Sequence, residues 1–302
     1  MNSYGTRYRV TTYGESHGLA VGAIIDGCPA GHRVDFEAIG RDLERRRHGA
    51  PRQEEDRIEW LSGLLDGVTL GTPIAFAIRN RDARSDDYEN LRNAFRPGHA
   101  DYTYHRKYGL HDHRGGGRAS ARETTARVVA GALAKQLLHP VDIRAEVDHL
   151  GPERPDDTRG GTVACRVLGL PSGTGEPLFA KLSASLAAAM MSIPSAIGFE
   201  MGAGFAAADM AGSEFIDRWN PDGTTQTNHC GGIQGGISNG MPIEFRVAFH
   251  PVVSLPSPVE CLTADGHLHT LSLGGRHDRC QVLRTPVIVE AMTAITLANF
   301  KL

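Results

Sequence analysis

The sequence predicts an α+β fold, a β-α-β sandwich with long helices between two antiparallel sheets and an internal pseudo-twofold repeat. Three observations carry that expectation. Gly63, Leu64, Gly67, Val68, Gly71, Pro73, Ile74 and Phe76 recur, each 169 positions later, as Gly232, Ile233, Gly236, Ile237, Gly240, Pro242, Ile243 and Phe245, and self-similarity at a fixed offset marks repeated supersecondary units. Period-two or continuous apolar runs at 20–26, 74–78, 162–168 and 243–249 read as strands. Residues 125–138 and 287–297 are apolar on more than one face, as helices covered on both sides must be.

Taken along the chain, Gly27-Cys28-Pro29-Ala30-Gly31 turns the first strand into a helix whose Phe36, Ile39 and Leu43 share one face, and the helix closes on Arg45-Arg46-Arg47. The same order returns as Gly169-Leu170-Pro171-Ser172-Gly173 with Phe179, Leu182 and Leu186. A Gly-Gly-Arg stretch then precedes a long helix twice, at 116–118 before 122–138 and at 274–276 before 286–300. Residues 151–161 are too short for a domain linker, so 1–302 reads as a single domain with repeats at about 8–138 and 160–300.

Composition narrows the function. With 32 basic against 35 acidic residues in 302, the net charge of −3 excludes a bulk nucleic-acid binder. Only Lys107, Lys135, Lys181 and Lys301 among the basic residues are lysines, and the arginine excess suits carboxylate and phosphate ligands. The five cysteines are odd in number and hold no C-x-x-C pair, so neither a disulfide framework nor a zinc ribbon follows, and a cytoplasmic location is expected. No apolar signal core occupies 1–10. The longest uncharged run, 182–199, is broken by Pro194 and reads as a core helix rather than a membrane span.

Gly14-Glu15-Ser16-His17-Gly18 matches a nucleophile-elbow pattern, but the strand-like residues that follow it contradict the strand-turn-helix context of a hydrolase. Arg45, Arg46 and Arg47 sit where a helix C-terminus favours cations, with Arg52 close behind. Arg96, Arg114, Arg118, Arg122 and Arg127 crowd a polar stretch rich in glycine and histidine, the composition of a polyanion site. Gly115-Gly116-Gly117-Arg118-Ala119-Ser120 runs into Ser120-x-x-Glu123, a capping box at a helix start that can seat a phosphate. None of the histidine pairs has the i, i+4 spacing of a helical zinc site, so no metal is expected. His17 and His99 lie beside glycines and have the proton affinity that acid–base work near neutrality requires.

The run Arg84-Ser85-x-Asp87-Tyr88, then 95–104 (Phe-Arg-Pro-Gly-His-Ala-Asp-Tyr-Thr-Tyr), Lys107-Tyr108-Gly109 and 114–124 from Arg114 to Thr124 closely resembles the chorismate synthase family. With 14–18, 45–47 and Gly275-Arg276-His277-Asp278, the resemblance touches nearly the whole chain. It implies a β-α-β sandwich, a homotetramer, and a lyase that converts 5-enolpyruvylshikimate 3-phosphate to chorismate and phosphate by 1,4-elimination with reduced FMN. The resemblance further implies that the flavin is reduced either by NADPH or by an external flavin reductase. By the resemblance, His99 acts on the leaving phosphate, His17 supplies a proton to the reduced flavin and Asp278 relays the proton taken up there. Ser16, Arg46, Arg47, Arg52, Arg96 and Arg122 match substrate or NADP-phosphate positions. Arg118, Ala119, Ser120, Pro194, Ser195, Gly235, His250, Pro251, Val252, Val253, Ser254 and Arg276 match FMN contacts. The alternative is a non-catalytic flavin- or anion-binding relative. Four departures from the family pattern stand out: a short 138–161 stretch, His250-Pro251-Val252-Val253-Ser254 where Lys-Pro-Thr-Ser-Ser is usual, Arg279 in place of proline, and an end at Leu302.

Overall fold

A computed structural model describes residues 1–255, 257–272 and 278–302. The first sheet collects β1 (Ser3–Tyr4), β2 (Arg9–Tyr13), β3 (Ala20–Asp26), β4 (Ile58–Trp60) and, after the small hairpin β5 (Leu64–Leu65) and β6 (Val68–Thr69), β7 (Ile74–Arg79). Its order is β1-β2-β3-β7-β4, antiparallel throughout. Helix α1 (Phe36–Arg47) starts where the Asp35 carboxylate accepts the Ala38 N–H, buries Ile39 and Leu43 and ends on the three arginines. β8 (Ala94–Phe95), the short α2 (Asp101–Tyr108) and two 3₁₀ turns then lead into α3 (Thr124–Leu137).

The second sheet is built from β9 (Asp142–Leu150), β10 (Gly161–Leu168), β11 (Ala196–Met201) and β14 (Ile243–Phe249), in the order β11-β14-β10-β9. Between these strands come α4 (Leu182–Met191), α5 (Gly212–Phe215) and the hairpin β12 (Ile233–Gln234) and β13 (Ile237–Ser238). In both sheets the four principal strands lie in the order first, second, fourth, third by chain position. Phe76 of β7 registers against Ala23, and its counterpart Phe245 of β14 registers against Cys165. A third sheet joins β15 (Val259–Thr263) and β16 (Leu268–Leu271) to β8, and α6 (Pro286–Lys301) closes the chain.

The helices fill the space between the two large sheets. α3 lies on β2 and β3, α6 lies on β9 and β10, and the two helices pack on each other. They approach so closely that a methyl group on Gly131 would collide with the backbone of Ala291. Every residue from Val287 to Ala298 is buried, including Glu290, Thr293 and Thr296. The threonine hydroxyls donate to the carbonyls four residues back, and Glu290 accepts from Arg45 and Lys135. One apolar cluster runs from Tyr8 to Ala298 through both halves.

Three local expectations are corrected. The capping box does not form, because the Glu123 N–H donates to the Ser120 carbonyl rather than to its hydroxyl. Ser120 Oγ accepts from the Arg122 N–H at 3.4 Å, but the buried Glu123 carboxylate is taken by Thr12 (2.8 Å) and Arg127 (2.9 Å), so a 3₁₀ turn precedes α3. The polar stretch after Phe95 contains a helix, α2, whose Tyr102 and His105 pack with His111 around the Phe95 ring. The short 138–161 stretch also holds the whole of a nine-residue strand, β9. The expected Gly-Gly-Arg entry at 274–276 lies outside the described residues apart from its helix, which a 3₁₀ turn at Gln281–Arg284 introduces.

Candidate active site

Six segments converge on a cleft of about 240 Å³. The C-terminal turn of α1 brings Arg46 and Arg47, and the loop after it brings Arg52, Glu54 and Asp56. The β2–β3 turn supplies Ser16 and His17, and the 3₁₀ turn at Ser85–Leu91 supplies Asp87 and Tyr88, with Arg84 at its head. Gly115, Ser120, Ala121 and Arg122 come from the approach to α3. The second half of the chain adds Val252, Asp278, Gln281 and Arg284.

Six guanidinium groups therefore face four carboxylates. Three of the arginines are committed to pairs. Arg52 holds Glu54 at 2.5–2.8 Å while its Nη1 donates to Ser16 O (2.9 Å) and Ser16 Oγ (3.1 Å). Arg122 pairs with Asp56, and Arg284 with Asp278. Arg46, Arg47 and Arg84 make no ion pair among the described residues. Arg46 is instead fixed by neutral acceptors, Thr124 Oγ1 at 3.0 Å and Ala121 O at 2.8 Å, and Arg47 by Glu54 O at 3.0 Å. Desolvation, then the neighbouring Arg122 against the opposing pull of Asp56, lowers the pKa of Arg46 to about 10, which leaves it charged at neutral pH. The net excess of two positive charges in a concave site favours anions.

The Arg122–Asp56 pair carries an unspent valence. Both side chains are about 95 % buried or more, yet Arg122 Nη2 and Asp56 Oδ2 have no hydrogen-bond partner among the described residues. Glu54 is better served. Burial pushes its carboxyl upward, but the Arg81 N–H and Arg52 outweigh that, and its pKa ends below the ordinary carboxylate value.

His17 stands edge-on to Tyr88, with ring centroids 5.1 Å apart and planes at 84°, and its Nδ1 lies 3.2 Å from Ser85 Oγ. Gly115, at φ +58°, abuts the imidazole, because a Cβ there would lie 2.5 Å from both Cδ2 and Nε2. Gly116 and Gly117 also have positive φ, so the glycine run supplies conformations other residues avoid. Burial and then Arg52 lower the pKa of His17. His99 sits behind the cleft wall. Its Nδ1 is 3.0 Å from Pro97 O, which can only accept, so Nδ1 carries the proton and the neutral ring's Nε2 accepts from Ser254 Oγ at 2.8 Å. Burial and then Arg96 lower its pKa as well.

A protein-family model described as chorismate synthase matches residues 8–156 and 147–302. The chorismate synthase of Christiangramia forsetii is 46 % identical over 100 % of this chain and 97 % of its own. That of Porphyromonas gingivalis is 47 % identical over 99 % of this chain and 95 % of its own. The chain belongs to the chorismate synthase family. A crystal structure of a chorismate synthase superposes with a TM-score of 0.77 at 30 % identity, covering 98 % of this chain and 92 % of the other. Membership makes the chain an enzyme of the lyase class and disfavours the non-catalytic reading. The alignment with the Christiangramia forsetii enzyme spans 344 positions against 302 residues here. The two segments matched by the chorismate synthase family model meet at 147–156, inside the stretch expected to be short.

Of the residues singled out in the sequence, the cleft gathers Ser16, His17, Arg46, Arg47, Arg52, Ser120, Arg122, Val252 and Asp278. Others stand at its margin. Ser195, at φ +67°, accepts from Gln281 Nε2 at 2.5 Å and takes the His250 N–H on its carbonyl. His250 Nδ1 contacts Pro251 O, Val253 lies against Gly98, and Ser254 holds His99, so the 250–254 segment separates His99 from the cleft. Arg96 is spent on a buried bidentate pair with Asp101 at 2.7 and 2.9 Å. Arg118, Ala119 and Pro194 line a different cleft of about 300 Å³, where Arg118 donates to Thr12 O and Oγ1. Gly235 turns the β12–β13 hairpin in open space. Arg276 lies outside the described residues. Sequence reasoning missed Glu54, Asp56, Arg84, Tyr88, Gln281 and Arg284 as cleft residues. The alternation Arg52-x-Glu54-x-Asp56 was the one available signal for the first two.

Proposed function

We propose that this cleft binds 5-enolpyruvylshikimate 3-phosphate and reduced FMN together and eliminates phosphate from the former to give chorismate. The observation that carries this reading is the set of three guanidiniums, Arg46, Arg47 and Arg84, held in the same cleft as His17 without carboxylate partners. Three anionic groups, one phosphate and two carboxylates, are what such a set recognises. Arg52 and Arg122 complete the ring of donors, Arg52 also fixing Ser16.

The residues present fit a flavin nucleotide. The buried Nη2 of Arg122, without a partner among the described residues, offers a donor, and Tyr88, Ala121 and Val252 give the polar cleft an apolar wall. When bound, reduced FMN would supply an electron-rich ring to the elimination without net redox change. Ser120 and Val252 would hold it from the cleft, with Ser195, His250, Pro251, Val253 and Ser254 behind them, and Arg276 is a cofactor position by family resemblance alone. Arg118, Ala119, Pro194 and Gly235 belong to the same cofactor surface by family resemblance. His17 delivers a proton at Nε2 and Asp278, paired with Arg284, belongs to the relay. An incoming phosphate displaces Ser254 from His99 and raises that imidazole's proton affinity through its charge, so His99 protonates the leaving group, while Arg96, whose donors are held by Asp101, contributes only its charge.

The same reading includes a single domain with a pseudo-twofold relation between 8–138 and 160–300, supported by the shared strand order of the two sheets. It also includes a homotetramer, supported by exposed Phe179, Ile197, Phe205 and Trp219. A cytoplasmic setting, with flavin reduced by NADPH or by a separate reductase, completes it, and no described helix is long and apolar enough to cross a membrane. The test is an anaerobic stopped-flow assay with photoreduced FMN, following chorismate and phosphate together. Equal amounts of both are expected; saturating flavin and substrate with neither product would end the proposal.

A further inference from the structure

We propose that Ser85 is a positioning residue that holds His17 by Nδ1 and so reserves Nε2 for proton exchange. The inference rests on the reading of His17 as a proton-handling group of the cleft. Ser85 opens the 3₁₀ turn at Ser85–Leu91, and its hydroxyl has no side-chain partner among the described residues other than His17 Nδ1, at 3.2 Å. Two further contacts fix the ring. Tyr88, one turn further along, meets it edge-on, and Gly115 closes the Cδ2–Nε2 side so tightly that no side chain fits between. One short turn therefore supplies both a hydrogen bond and an edge-on aromatic contact to the same imidazole.

The chemistry explains why a hydroxyl stands there rather than a carboxylate. A histidine that gains and loses a proton at Nε2 keeps its Nδ1–H throughout, so a partner that accepts at Nδ1 stays bonded in both states and the ring need not turn. A carboxylate in that place would favour the imidazolium and raise the pKa. A hydroxyl orients without adding charge, leaving the balance to the groups that already face the ring: Arg52 and Arg114 against Asp87 and Asp112. Burial and these two arginines prevail and hold the pKa of His17 below its ordinary value, so the ring takes up a proton at Nε2 before delivering one from the same atom.

The experiment is ¹⁵N NMR of histidine-labelled full-length protein, with His17 assigned by the signals lost in His17→Gln. At pH 8 the wild type is expected in the Nδ1–H form. Ser85→Ala is expected to shift His17 toward the Nε2–H form and lower kcat on the order of tenfold with KM nearly unchanged, and Ser85→Thr to restore both. An unchanged tautomer in Ser85→Ala, or a shift that Ser85→Thr fails to reverse, overturns the proposal. Because the tautomer is read without turnover, a wild type that makes no chorismate yet shows the Ser85-dependent shift would refute the proposed reaction and leave this hold on His17 standing.

Discussion

At the level of single residues, the cleft divides into groups visible in the sequence and groups that only folding brings in. Arg46, Arg47 and Arg52 are legible because a helix that ends on consecutive arginines presents them together. Their counter-charges are not, since Glu54 and Asp56 belong to a loop without periodicity and Arg284 meets Asp278 only through the turn ahead of α6. Gly115 shows how much a missing side chain can mean. Alanine there would adopt an unfavourable φ of +58° and drive its Cβ into His17. Left-handed backbone costs about 1–2 kcal/mol at a non-glycine residue, which a folded protein of this size survives. Displacing a proton-handling imidazole costs on the order of 100-fold in rate. Gly115→Ala is therefore expected to lower Tm by only a few degrees while lowering kcat by roughly two orders of magnitude. A variant that melts normally and turns over at the wild-type rate would show that the position of the His17 ring is irrelevant.

At the level of elements, β3 and β14 span the residues that their apolar runs predict, and α6 extends the predicted helix by one residue. β9 was hidden because half of its side chains are polar and face outward, as its alternating Arg144, Glu146 and Asp148 show. α2 was hidden because its packing surface is made of tyrosine and histidine rings rather than aliphatic residues. Charge also joins elements that the apolar pattern does not. Glu290 of α6 accepts from Arg45 of α1 at 2.7 and 2.8 Å, from Lys135 of α3 at 2.6 Å and from the Ala145 N–H of β9 at 3.0 Å. Burial raises the Glu290 pKa, but Arg45 and Lys135 outweigh it and leave it below its usual value. A carboxyl whose pKa is lower folded than unfolded stabilises the fold above the unfolded value, about 4.3, and that stabilisation is lost as pH falls through the folded value. Breaking a fully buried pair costs about 3–5 kcal/mol; with Arg45 nearly half exposed, about 2 kcal/mol is expected for Glu290→Gln at pH 7. Urea titrations should show that deficit at neutral pH and its shrinkage below about pH 4.3. A deficit independent of pH would mean that the carboxylate's charge plays no part.

For the whole molecule the question is whether the first half, with its five-stranded sheet, and the second half, with its four-stranded sheet, fold as two units or as one. The arrangement of β strands within each half, taken alone, is compatible with independence, since each sheet has its own complement of hydrogen bonds. The apolar surfaces are not. α3 carries the first half's contacts to β2 and β3, α6 carries the second half's to β9 and β10, and the face that each turns away from its own sheet is covered by the other helix. Separating the halves would expose both helices along a seam tight enough to exclude a methyl group at Gly131, at about 25 cal/mol for every Å² of apolar surface. The cleft has the same dependence, because Val252, Asp278, Gln281 and Arg284 reach it from the second half and all the other lining residues from the first. The protein provides its own reporters, with Trp60 on β4 in the first half and Trp219 after α5 in the second. Trp60→Phe and Trp219→Phe each leave a single tryptophan. Urea unfolding followed by fluorescence of the two variants and by far-ultraviolet circular dichroism should give coincident, superimposable transitions for each protein, and the same midpoint in both once the small cost of each substitution is allowed for. If Trp219 reported unfolding while the ellipticity of the first half persisted, the halves would be separable units, and the cleft would be assembled by docking rather than by folding.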